Sequence, residues 1–181
     1  LTQAAASIEM QRREDEERLR YWQRPLVHLK QREVNQSDLR VRGVLGGNRS
    51  GKTFVGAIET ILFALGRHAE KYVQSWLPED QEWWYNRFGL YEPKRQQIWV
   101  STVSWDVQRD VTQPVLLNWL PRAEIGDYAN RKKGVVDFLT LKRTGTRIVF
   151  KSYETGEVGH QGASCAFIWD DEEPPYNIWN E

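Results

Sequence analysis

The clearest periodic signal follows a glycine-rich stretch. From residue 54 onward, apolar side chains recur at intervals of three and four, at Phe54, Ile58, Ile61 and Leu65, with Val55 and Leu62 beside them. That spacing predicts a buried helix, and Gly66 is a fitting stop for it. Just before the glycines, residues 41–45 read as a short strand. Residues 97–101 read as the next strand, and residues 105–120 as a helix perturbed at Pro114 and closed by Pro121. Residues 135–142 and 146–151 flank Thr144-Gly145 and predict a hairpin. A loop with three glycines, residues 152–162, leads to a fully apolar run at 165–169, which predicts a buried strand ending in Asp170-Asp171-Glu172-Glu173-Pro174-Pro175. Residues 67–96 are polar and aromatic without a clear period and read as an irregular insertion with one helix. Strands alternating with helices predict an α/β fold with a mostly parallel sheet and one antiparallel hairpin.

At the N-terminal end, acids and bases sit three and four apart (Glu14 with Arg18, Glu16 with Arg20). Residues 1–24 therefore read as a charged, solvated helical arm ended by Pro25, and residues 25–181 as one domain.

Charge and composition narrow the function. The 181 residues hold 25 Lys+Arg against 25 Asp+Glu, a formal net charge of zero. A static nucleic-acid coat protein needs a standing cationic excess, so that class is disfavoured. A 40% apolar and 28% charged composition argues against wholesale disorder. No apolar run approaches the roughly 20 residues of a membrane span, and residues 1–11 show no signal peptide. The lone Cys165 excludes an internal disulfide, fits a reducing compartment and reads as a core residue. His28, His68 and His160 lack metal-ligand spacing. Arg131-Lys132-Lys133 reads as a solvated basic loop.

Two segments carry chemistry. Residues 46–53, G-G-N-R-S-G-K-T, fit the phosphate-binding pattern G-x-x-x-x-G-K-[ST]. Gly46 and Gly51 let the backbone turn, so that the N–H groups of Gly47, Asn48, Arg49 and Ser50 can cradle phosphate oxygens. The following helix adds the partial positive charge of its N-terminus. Lys52 reaches the β- and γ-phosphates, and the Thr53 hydroxyl binds Mg²⁺. The second segment is the acidic end of the apolar strand. One Asp there can hold Mg²⁺ through its water shell, and an adjacent Glu can act as general base on the attacking water. Either Asp170 or Asp171 can be the metal acid; Asp171 is favoured because Glu172 then follows directly.

Together these segments resemble the ATPase domain of the large terminase subunit of tailed bacteriophages, the motor that packs DNA into procapsids. The resemblance covers roughly residues 23–176. It implies an α/β P-loop NTPase core of the RecA/ASCE-like type that hydrolyses ATP with Mg²⁺. Carried over residue by residue, Lys52 and Thr53 are the P-loop pair, Asp171 the metal-side acid and Glu172 the catalytic Glu. Gln31 matches the glutamine that contacts adenine. The implied partners are double-stranded DNA, the portal and the small terminase subunit, in a homo-oligomeric ring without a membrane role. The implied location is the host cytoplasm, transiently at the procapsid portal.

Two departures stand out. Many relatives carry an Arg where this chain has Gln161. An arginine finger contributes about 10³ to 10⁵ in rate. Arg49 is the first candidate to replace it in cis; Arg109, Arg122, Arg143 and Arg147 are candidates in trans, each reading more simply as a surface Arg. Second, Glu181 lies only nine residues past Glu172. In P-loop ATPases of this type a further strand follows the acidic one and lies between it and the P-loop strand. The chain thus reads as incomplete at its C-terminal end, and holds no second acidic cluster for a two-metal nuclease. The alternatives are a helicase-like nucleic-acid ATPase or a nucleotide-gated assembly module.

Overall fold

The computed structural model describes residues 18–22, 29–47, 49–130, 134–160 and 164–179. Most of the expected arm, the Arg131-Lys132-Lys133 run, Asn48 and Gln161 lie outside the described residues. The described end of the arm is not solvated. Residues Arg18–Tyr21 form a 3₁₀ turn, and Leu19 and Trp22 are fully buried. Their apolar side chains enter the core while the flanking Arg18 and Arg20 are half-buried; Arg18 Nη1, for example, donates to Asn118 Oδ1 at 2.7 Å.

Helix α1 (Leu29–Gln36) comes next. Residues 42–47 then run without regular structure, so the strand expected at 41–45 is not formed. Val41 and Leu45 are 75% and 100% exposed. An extended segment becomes a strand only by sharing a ladder, and no described strand pairs with this one. Helix α2 (Lys52–Leu65) follows as predicted, set between Gly51 at φ 82° and Gly66 at φ 51°, conformations that favour glycine at both ends.

The aromatic segment is not an irregular insertion. It folds as a 3₁₀ turn (Gly66–Ala69), α3 (Glu70–Val73) and α4 (Pro78–Phe88). Tyr72, Val73, Trp76, Trp84 and Phe88 are buried in the core shared with α2, and Trp22 packs on Trp76 with ring centres 4.6 Å apart. Several short helices each bury a few large rings, so no single period runs through the stretch.

Strand β1 (Gln97–Thr102) leads into an irregular helix: α5 (Trp105–Val107), a π turn (Gln108–Thr112) and α6 (Gln113–Trp119). Pro114 lacks the N–H that a regular turn would use. The widened turn absorbs this, with the Gln113 N–H reaching back five residues to Gln108 O. Then come β2 (Ile125–Asn130), β3 (Val136–Leu141), β4 (Arg147–Ser152), β5 (Phe167–Asp170) and a terminal helical turn, α7 (Tyr176–Trp179).

The sheet order is β2-β3-β4-β1-β5. β4/β1 and β1/β5 are parallel, whereas β2/β3 and β3/β4 are antiparallel. The sheet is therefore mixed rather than mostly parallel, and the predicted hairpin gains a third antiparallel strand. β2 escapes a pattern search because it is a half-exposed, bulged edge strand with no apolar alternation. Cys165 lies before β5 and is half-buried. One sheet face carries Ile98, Val100, Ile148, Phe150 and Trp169 into the core against α2 and α6. Gly56 of α2 meets the Trp169 indole so closely that a Cβ would lie 2.2 Å from it.

Candidate functional site

The parallel arrangement of β1 and β5 sets where the acids emerge. β5 runs beside β1, with Ser101 opposite Asp170, and the Asp171 N–H bonds Ser101 O at 3.0 Å. Side chains alternate across a strand. Trp169 faces α2, so Asp171 points to the α2 side and Asp170 to the other.

On the α2 side, Asp171 Oδ2 accepts from Thr53 Oγ1 at 3.2 Å and from Thr112 Oγ1 at 2.9 Å. The residue after the glycine-loop lysine thus meets the acidic strand tip across 118 positions of chain. Burial raises the Asp171 carboxyl above its ordinary pKa, against the hydrogen bonds from Thr112 and Thr53 and the nearby Lys52 charge. On the opposite side, Tyr153 OH lies 3.0 Å from Asp170 Oδ1 and 3.1 Å from Glu172 O, with one proton to share. Burial raises the Tyr153 phenol strongly, and the Asp170 charge adds to it. Asp170 is exposed at the strand end, yet desolvation of its carboxyl raises it too, against the bonds from Tyr153 and Ser101. The Glu172 side chain is exposed.

The glycine loop closes on itself. Ser50 N–H bonds Gly47 O at 3.3 Å, and a Cβ on Gly46 would come within 2.7 Å of Ser50 Oγ. Lys52 Nζ donates to Gly46 O at 2.7 Å and Gly47 O at 3.1 Å. Arg49 holds φ 63° and is exposed. Gln31 lies across the loop from α1, its Nε2 donating to Ser50 O at 3.2 Å and Gly51 O at 3.5 Å. A Cβ on Gly51 would meet that nitrogen at 1.9 Å.

A buried node holds this arrangement from behind. Glu59 of α2 pairs with Arg42, which precedes the loop, and with Arg87 of α4. It also accepts from Asn35 Nδ2 at 3.1 Å, and Asn35 bonds Val55 O at 3.3 Å. Those bonds seat α1, and hence Gln31, against α2.

Sequence reasoning missed Thr112 and Tyr153. Thr112 reaches Asp171 only because the π turn is anchored by buried Gln108, whose Nε2 donates to Val100 O at 2.7 Å and Lys151 O at 2.8 Å. Pro114 was the one sequence signal of an irregular turn there. Among the candidate finger arginines, Arg109 pairs with Asp106 and Asp110, Arg143 pairs with Glu124, Arg147 lies over the Phe138 ring, and Arg122 is exposed. His68 bonds Glu92, and His160 Nδ1 bonds Gly156 O. Among the described residues no group of three or more His, Cys, Asp or Glu is placed to hold a metal. A hydroxyl and one carboxylate at Thr53 and Asp171 suit Mg²⁺, a hard cation that keeps waters and takes substrate phosphate oxygens. No helix among the described residues is long and apolar enough to cross a membrane.

The family model "Terminase large subunit, T4likevirus-type, N-terminal" matches residues 44–179. The large terminase subunit of Salmonella phage P22 is 29% identical over 179 residues, a match covering 84% of this chain and 34% of that protein. The chain therefore spans about a third of the length of the curated relative it matches. No solved structure matches it.

Proposed function

The chain belongs to the terminase large subunit family, T4likevirus-type, as an N-terminal region, and from that premise we propose that it hydrolyses ATP with Mg²⁺ to drive double-stranded DNA into a procapsid. The observation that carries this reading is the hydrogen bond between Thr53 and Asp171. It joins the glycine loop to the acidic strand tip.

In this reading the glycine loop is a P-loop within an ATPase domain of residues 25–181, with residues 18–22 packed against it. The N–H groups of residues 46–51 and the α2 N-terminus hold the phosphates. Lys52 gives up the Gly46 and Gly47 carbonyls and takes the β- and γ-phosphate oxygens. Thr53 and Asp171 would hold the metal, which would supply positive charge to neutralise the phosphates. Glu172, exposed beside Asp171, orients and deprotonates the attacking water. Arg49, exposed on the loop itself, offsets charge on the γ-phosphate in cis. Gln31 both donates to and accepts from the adenine edge. The partners are duplex DNA, the portal, the small subunit and further copies in a ring, acting at the procapsid in the host cytoplasm.

Phosphate release by Glu172→Gln tests the reading. The expected result is retained ATP binding with turnover down by about 10² or more, in the range of lost general-base catalysis. Equal, near-zero release by wild type and variant, with ATP binding intact, would replace hydrolysis with a nucleotide-gated assembly role.

A further inference from the structure

We infer that the end of the sheet opposite the acidic tip is a binding surface for the phosphate backbone of duplex DNA. The choice of DNA as the polyanion rests on the packaging reading above; the surface itself is read from the fold. β1 begins at Gln97 and β4 at Arg147, so this end is formed by residues 93–96 and the β3–β4 turn. The two segments are locked together: Arg95 N–H bonds Thr144 O at 3.1 Å, and Arg147 N–H bonds Gln96 O at 2.9 Å. A Cβ on Gly145 would touch Arg95 Cγ at 3.0 Å.

Lys94, Arg95, Lys142, Arg143 and Arg147 are all exposed around this junction. Two carboxylates lie among them, and both are already engaged. Glu92 pairs with Arg67 and His68, and its carboxyl is held below the usual range by His68 first, then by Arg67 and Lys94. Glu124 is buried and binds Lys71 at 2.8 Å, Arg143 at 3.3 Å and the Tyr72 hydroxyl at 2.9 Å. Among the described residues, no carboxylate lies within ion-pair distance of Lys94, Arg95, Lys142 or Arg147. Arg147 is further stiffened by the Phe138 ring, 3.5 Å from its guanidinium carbon. A chain of zero formal net charge therefore carries a local cationic excess on a rigid frame, at the end of the sheet away from Asp171.

A rigid set of exposed Arg and Lys with few carboxylates among them suits a polyanion of regular spacing, and each phosphate contact adds about 0.9 to the slope of log affinity against log salt. The test is binding of the chain to a blunt 30-base-pair duplex, without nucleotide, across a salt series. The variant Lys94→Gln/Arg95→Gln/Lys142→Gln/Arg147→Gln is compared with Lys30→Gln/Arg40→Gln, which removes exposed cations on α1 and before the glycine loop. The expected result is a slope lower by roughly 3 for the fourfold variant and an unchanged slope for the control, at matched thermal stability. An unchanged slope for the fourfold variant overturns the proposal. Unchanged DNA binding with lost retention on poly-glutamate also overturns it, assigning the surface to an acidic protein. Because no nucleotide is present, failure of ATP hydrolysis and failure of this surface are separate results.

Discussion

Asp171 accepts from two hydroxyls on different elements, and each has a separate task. In the proposed reading Thr53 and Asp171 would both hold the metal, and Thr112 would keep its bond to Asp171 and fix the carboxylate rotamer. Thr112→Val removes that donor from a buried site. Loss of such a supporting hydrogen bond costs about 10- to 100-fold in metal affinity in other sites. The Mg²⁺ concentration for half-maximal turnover is expected to rise by at least about tenfold, with nucleotide binding in EDTA unchanged and recovery in Thr112→Ser. An unchanged Mg²⁺ dependence would remove Thr112 from this role. The raised Asp171 pKa gives a second prediction. The native state holds the proton more tightly than the unfolded chain, so ionised Asp171 costs stability as pH rises through its raised native value. Asp171→Asn, whose amide oxygen still accepts from both threonines, is expected to melt higher than wild type at neutral pH while losing hydrolysis. The gap narrows below about pH 4, where Asp is protonated in both states. An equal or lower melting temperature at neutral pH would contradict it.

Between elements, the decisive contact is α2 against β5. Gly56 lets the Trp169 indole close on the helix, and this spacing brings the α2 N-terminus to the β5 tip. Gly56→Ala forces the indole or the strand outward. Overpacking of this kind costs about 1–3 kcal/mol, and the shift also parts Thr53 from Asp171. Lower stability together with a reduced Mg²⁺-dependent rate is the expected outcome, measured by urea titration and phosphate release. A full rate in a destabilised variant would show that the contact supports the core and not the pocket. The irregular helix of residues 105–119 works at the same scale: its N-terminus is capped by Ser104 Oγ and bonded by Glu154, and its π turn carries Thr112.

Across the whole molecule, formal neutrality conceals an uneven distribution. Lys94, Arg95, Lys142, Arg143 and Arg147 gather at one end of the sheet, and Asp170 to Glu173 lie at the other. The sequence by itself determined the features set by near neighbours. The three-and-four stripe made α2, the glycines fixed both its ends, and the apolar run before the acids made β5. The glycine loop and its Lys52-Thr53 stand out in the sequence for the same reason, since the pattern is made by adjacent residues. Tertiary structure decided what depends on distant partners. Strand pairing turned Asp171, which the sequence already favoured, to the α2 side and Asp170 to the other, because side-chain direction follows the parity of the strand. It left residues 41–45 outside the sheet and recruited the polar β2, since ladders are made by backbone groups that carry no sequence pattern. Thr112, Tyr153 and the cationic turn became neighbours of their partners only on folding, where packing joins residues that no local spacing relates.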